Sequence, residues 1–153
     1  MKPEYLHVLL NPLPIYGLGM SVVALGIALF TGSKQARLVA LAVVALSALS
    51  AWPTFELGEK AYMPVFMSLE PDGQRWLDAH MLRAQRGIYV FHLAAALAVA
   101  AMAADWKFPR AAMALASATL IVAAVAAGIG GWIGYAGGKV RHSEFRDSPP
   151  PAH

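Results

Sequence analysis

The chain contains no cysteine. Disulfides, thiolate metal sites and thiol nucleophiles are thereby excluded. Charge is scarce as well: 14% of the 153 residues are Asp, Glu, Lys or Arg while 58% are hydrophobic, against roughly 25% and 45–50% in ordinary soluble domains. No run of basic residues is present, and the net charge of +3 is scattered along the chain. That distribution suits lipid headgroups and excludes a nucleic-acid partner. Nucleophile elbows, Gly-rich phosphate loops and His-Glu-x-x-His pairs are also missing. The chain is therefore not expected to be a stand-alone enzyme, and no catalytic residue is assigned.

What is present is apolar length. Residues Asn11–Ser33, Leu38–Phe55, Gly87–Ala104 and Ala111–Gly138 form four uncharged stretches, each long enough for a membrane-spanning helix of ~18–20 residues. An all-α, four-transmembrane-helix bundle follows, with helices over about 13–30, 38–53, 87–104 and 111–133 in one domain spanning 1–138. The first stretch starts behind Lys2 and Glu4 and lacks a small-residue cleavage site, so it is expected to be retained. The short turns carry Lys34 with Arg37 and Lys107 with Arg110. By the positive-inside bias both termini and the long connection are expected in the periplasm of a bacterial inner membrane.

That connection, Glu56–Arg86, contains "SLEPDGQRWLDAHMLRAQR". Ser68 as N-cap, acids in the first turn, and Trp76, Leu77, Met81 and Leu82 at helical spacing predict an amphipathic helical segment before helix three, lying in the interface or running straight into that helix. Residues 139–153 read as a polar, Pro-rich tail, its Pro-rich end without fixed structure.

Shifting the chain by 73 residues superposes His7 on His80, Ile15-Tyr16 on Ile88-Tyr89, Lys34 on Lys107, Arg37 on Arg110, Gly58 on Gly131 and Tyr62 on Tyr135. Two tandem helical hairpins result. Each returns to the side it left, so the copies share an orientation and place His7 and His80 at one depth. Interfacial histidines reaching toward headgroups would satisfy the pattern. So would two axial ligands to one planar group, the role neutral imidazoles play for haem iron.

His92 lies about 7–8 Å beyond Gly87 inside an apolar stretch, where an ionisable side chain marks function by default. It becomes a third candidate ligand, with an interhelical bond to Ser47 or Ser50 as the structural alternative. Gly130, Gly134 and Gly138 recur every four residues, a row that permits close helix approach or leaves room for a flat ring. Arg83 and Arg86, with Lys139 and Arg141, could hold carboxylate tails of a porphyrin or anchor the membrane edge. Trp52, Trp76, Trp132, Tyr62 and Tyr135 predict an aromatic belt. The methionines are irregularly spaced, so copper ranks below haem.

With "LHVLLNPLPI" and "GGWIGYAGG" in view, the chain resembles a bacterial family of small four-helix membrane proteins known as domain of unknown function 2231. That family opens helix one with a His-Pro-x-x-x-x-His-Phe-Pro-like stretch, places a His near the head of helix three, and closes helix four with Gly-Gly-x-x-x-Tyr-x-x-Gly. Here His7 and Pro14 keep the separation, His80 or His92 fills the helix-three position, and Gly130, Gly131, Tyr135 and Gly138 supply the last motif. The chain departs at Val8, where the family has its first proline, and at Pro12, near the family's second histidine. The resemblance implies an inner-membrane four-helix bundle and no established activity. A looser likeness is to cytochrome b-type membrane subunits, which also place histidines on facing helices.

The functional expectation is an integral membrane subunit holding haem b through His7, His80 and His92, with Arg83, Arg86, Gly130 and Gly134 around it, for electron transfer with a quinone or another subunit. The alternative is a cofactor-free structural or accessory subunit of a larger membrane complex or homo-oligomer, docking through its glycine row.

Overall fold

The computed structural model describes residues 1–150 and is all-α, with no strand among them. Six helices follow in order: α1 (Pro3–Leu10), α2 (Pro12–Thr31), α3 (Lys34–Leu49), α4 (Ala51–Phe66), α5 (Pro71–Ala104) and α6 (Pro109–Arg141). α1 runs into α2 across Asn11, and α3 into α4 across Ser50, both linking residues being themselves right-handed helical. Four rods therefore cross the bundle, Pro3–Thr31, Lys34–Phe66, Pro71–Ala104 and Pro109–Arg141, and all four are long and apolar enough to span a membrane. The protein is a multi-pass membrane four-helix bundle.

Local chemistry sets the boundaries. Pro12, Pro71 and Pro109 stand at first helical positions, where a missing N–H costs nothing. α2 stops at Gly32, whose φ of +67° only glycine takes without strain. Ser33 caps α3 by accepting the Ala36 N–H at 3.3 Å. The α5 cap is Glu70, accepting from the Gly73 N–H at 2.7 Å. Ser68, the expected cap, instead donates to the Val65 carbonyl at 2.7 Å and closes α4.

α2, α3, α5 and α6 form a ring in which α5 packs most extensively on α6. Leu18, Leu25, Leu41, Val44 and Phe91 fill its centre among buried alanines of α5 and α6; small side chains let these backbones approach and gain dispersion contact. The rods of 29–34 residues are about 44–51 Å long, against ~30 Å of hydrocarbon. The surplus lies at one end. There α1, α4, the first half of α5 and the last turns of α6 form a head with its own core of Trp76, Leu77, Ala79, Ala136 and Val140.

Several expectations change here. The Glu56–Arg86 connection is almost all helix, leaving Met67–Glu70 as the only turn. Of the two courses expected for the amphipathic segment, it takes the one that runs straight on, as the first half of continuous α5. Trp76 is 2% exposed in the head core rather than at a lipid belt, while Trp52 and Trp132 are exposed. The start of the polar tail folds back: Lys139–Arg141 belong to α6, Ser143–Phe145 form a 3-10 turn, and Arg146 donates to the Lys139 and Val140 carbonyls at 2.8 and 2.9 Å. The terminal carbonyls of a helix have no partner within it, and this guanidinium supplies one. Residues 151–153 of that tail lie outside the described residues.

Candidate functional site: a facing pair of anchored imidazoles

The head brings the two leading histidines together. His7 on α1 and His80 on α5 have ring centroids 6.0 Å apart and ring planes at 84°. His7 Nδ1 lies 2.8 Å from the Thr54 carbonyl of α4, and His80 Nδ1 lies 2.9 Å from the Ile133 carbonyl of α6. A carbonyl only accepts, so each Nδ1 carries the proton and donates it. Each Nε2 therefore keeps its lone pair. Fixing one ring nitrogen on a backbone carbonyl is how ligating histidines are oriented and made more basic.

Why those carbonyls are reachable follows from two glycines. Within a helix the N–H of residue i+4 bonds the carbonyl of residue i, and the side chain of residue i+4 projects back over it. Gly58 stands four residues after Thr54, and Gly137 four after Ile133. A Cβ on Gly58 would come within 3.0 Å of the His7 ring, and one on Gly137 within 3.0 Å of the His80 ring. Each imidazole thus lies in a notch that only glycine leaves open.

The notches correct the register of the repeat. His80 follows His7 by 73 residues, but Gly137 follows Gly58 by 79 (137 − 58), as Ile133 follows Thr54 (133 − 54). The match of Gly58 with Gly131, and of Tyr62 with Tyr135, is displaced by six positions. Two of the six lie in the longer turn, Asp105–Phe108 against Gly32–Ser33, and four lie within the helix that follows, about one turn.

Below the pair, toward the membrane, a cavity of about 50 Å³ is bordered by Asn11, Pro14, Phe55, Ile88 and Phe91 as well as both histidines. The other expected site residues are distributed differently. His92 is exposed on the outer face of α5, twelve residues and about 18 Å along the helix from His80, and does not join the pair. Ser47 packs at Gly17, and Ser50 donates to the Ser47 carbonyl at 2.7 Å, so neither meets His92. Arg83 stacks 4.4 Å over Trp132 and donates to its carbonyl at 2.8 Å, holding α5 to α6 at the rim. Arg86 is exposed. Gly130 and Gly134 admit Ile15 of α2, at 3.3 and 3.4 Å from where a Cβ would stand, so they serve close packing. The glycine of α6 that receives a histidine is Gly137, outside the every-fourth-residue row.

At the C-terminal edge Lys139, 2% exposed, pairs with Asp147, donates to Tyr135 and stacks 4.8 Å from the Trp76 ring. The Lys139 ammonium holds the Asp147 carboxyl below its ordinary value of 3.8. The Gly73 N–H, and then Arg146, lower Glu70 below 4.5. Among the described residues no cluster of three or more His, Asp or Glu is arranged to hold a metal ion. Fold and site together define a four-helix membrane protein with paired, backbone-anchored imidazoles at one end of its bundle. No family model, curated protein or solved structure matches the chain.

Proposed function

We propose that this chain is a membrane electron-transfer subunit in which His7 and His80 are the two axial ligands of one haem b. The observation that carries this is the pair itself: two rings edge to face, both anchored through Nδ1, with centroids 6.0 Å apart. Two metal–nitrogen bonds of about 2.0–2.1 Å on opposite sides of one ion put ring centres roughly 6 Å apart. Zinc would require four ligands, and two are present; haem iron supplies its own four equatorial nitrogens and asks the protein for two imidazoles. When bound, haem supplies reversible one-electron chemistry. The residues of this chain fix the imidazole tautomer, raise ligand basicity and shield the site from lipid.

The neighbouring cavity of about 50 Å³ is smaller than a porphyrin, so loading requires the α1–α4 pair to part from α5–α6. Membership in domain of unknown function 2231, placement in a bacterial inner membrane and a periplasmic head belong to the same proposal.

The test is spectroscopic. Protein purified in mild detergent from haem-replete cells should show a low-spin, six-coordinate reduced-minus-oxidised spectrum. His7→Ala and His80→Ala should each abolish it; His92→Ala should preserve it. A haem-free preparation, or one with copper in its place, overturns the proposal and favours the cofactor-free accessory subunit.

A further inference from the structure

α5 turns one helical face away from the bundle. Its inner face buries Phe91, Ala94, Ala95, Ala98 and Ala101. The opposite face exposes Tyr89, His92, Ala96, Ala100 and Ala103, three or four residues apart and so in one stripe. Gly87–Ala104 carries no charge and is about 27 Å long, close to the ~30 Å of hydrocarbon; the membrane boundary on the head side therefore lies at Arg86. Tyr89, 72% exposed, is near enough to that boundary for its hydroxyl to reach water, as interfacial tyrosines do. His92 stands one turn deeper on a shorter side chain. Among the described residues none hydrogen-bonds its imidazole.

Lipid tails offer that imidazole no partner, and an unpaired polar group in hydrocarbon is costly. Ionisable side chains at such depth face protein rather than lipid. A second copy of the chain meets the requirement. Every copy crosses the membrane in the same orientation, so a second copy presents the same ring at the same depth. A neutral imidazole has one donor and one acceptor nitrogen. Two of them can therefore pair, which two side chains that only donate, or only accept, could not do. Ala96, Ala100 and Ala103 lack the bulk to hold two such helices apart. The equivalent face of α2 lacks the polar group: the shift of 73 residues equates His92 with Gly19 and Ala96 with Val23, both exposed.

We propose that the outer face of α5 is a homodimer interface within the membrane, where His92 of one copy hydrogen-bonds His92 of the other across a twofold axis along the membrane normal. The contact is isologous and closes on itself. α2 packs on α3 and α6, across the ring from α5, and keeps its outer face toward lipid. The interface is independent of what His7 and His80 hold.

The experiment reconstitutes full-length protein into phospholipid liposomes as a mixture of donor- and acceptor-labelled Tyr5→Cys chains, the native chain being free of cysteine. Energy transfer is followed as lipid dilutes protein, and should persist where non-interacting chains show none. His92→Ala should move the dilution midpoint about tenfold toward higher protein density, the loss expected of one interhelical hydrogen bond. His92→Asn, which keeps a donor and an acceptor, should restore most of it. In separate unlabelled chains, Ala96→Cys should form an interchain disulfide on mild oxidation. Val23→Cys, at the matching depth on α2 and 62% exposed in the native chain, should not. Because His92 and Ala96 are exposed, helicity by circular dichroism should be unchanged in every variant, so that loss of transfer reads association and not folding. Chains that stay monomeric at every density overturn the proposal. So does a dimer indifferent to His92→Ala, or a disulfide through Val23→Cys in place of Ala96→Cys. A different membrane protein that copurifies with the wild type and is lost from His92→Ala overturns it as well, by naming another occupant of the face.

Discussion

At the residue scale two positions without side chains decide what two imidazoles can do. A methyl group at Gly58 or Gly137 must displace the ring that now stands 3.0 Å from the Cβ position, and displacement breaks the Nδ1 bond. Gly58→Ala and Gly137→Ala should each destabilise the head by about 1–3 kcal/mol, read by denaturant titration in detergent, and should shift or weaken any haem band. The two variants should behave alike; a neutral Gly137→Ala would sink the notch argument. His7 and His80 were legible from sequence as a pair. Gly137 was not, because a lone glycine among thirteen has no meaning until the opposing ring is known.

At the element scale the hairpins are tied at both ends. Away from the head, buried Asp105, the cap residue at the end of α5, takes Lys34 at 2.9 Å and Arg37, whose side chain is 7% exposed. Lys107 and Arg110, which the repeat equates with them, are exposed; the first hairpin has Gly32 where the second has Asp105, so only one cluster forms. Lys34 and then Arg37 hold Asp105 below its ordinary 3.8. A carboxylate depressed by folding contributes stability that is complete above that value and lost as pH falls through the lower folded one. The difference in thermal midpoint between wild type and Asp105→Asn should therefore be constant from pH 7 to 5 and shrink only below about pH 4, the variant melting lower because the Arg37 guanidinium is stranded. At the head, Arg146→Ala removes the donors to the Lys139 and Val140 carbonyls and should cost about 1–2 kcal/mol, with hydrogen exchange accelerated in the last turn of α6. Charge-free stretches located the four helices but understated them, since α4 and the first half of α5 carry charged residues along helices that bury Ala61, Trp76 and Leu77 against protein.

At the scale of the whole molecule, a membrane bundle carries at one end a small head built from its own helices. Because the native chain is cysteine-free, single cysteines at exposed Tyr5 in the head and Trp106 in the far turn report sidedness without background. If the basic turns face the cytoplasm, an impermeant maleimide should label the first in intact spheroplasts and the second only after lysis. By itself the sequence determined that there are four spans, that they come as two like-oriented hairpins, and that a histidine leads each, for hydropathy and repeats are properties of the chain read along its length. Which glycine meets which ring, that His92 turns outward, and that the tail closes over α6 were decided only by the tertiary structure. Helix periodicity leaves several registers one turn apart equally apolar, and packing in three dimensions chooses among them.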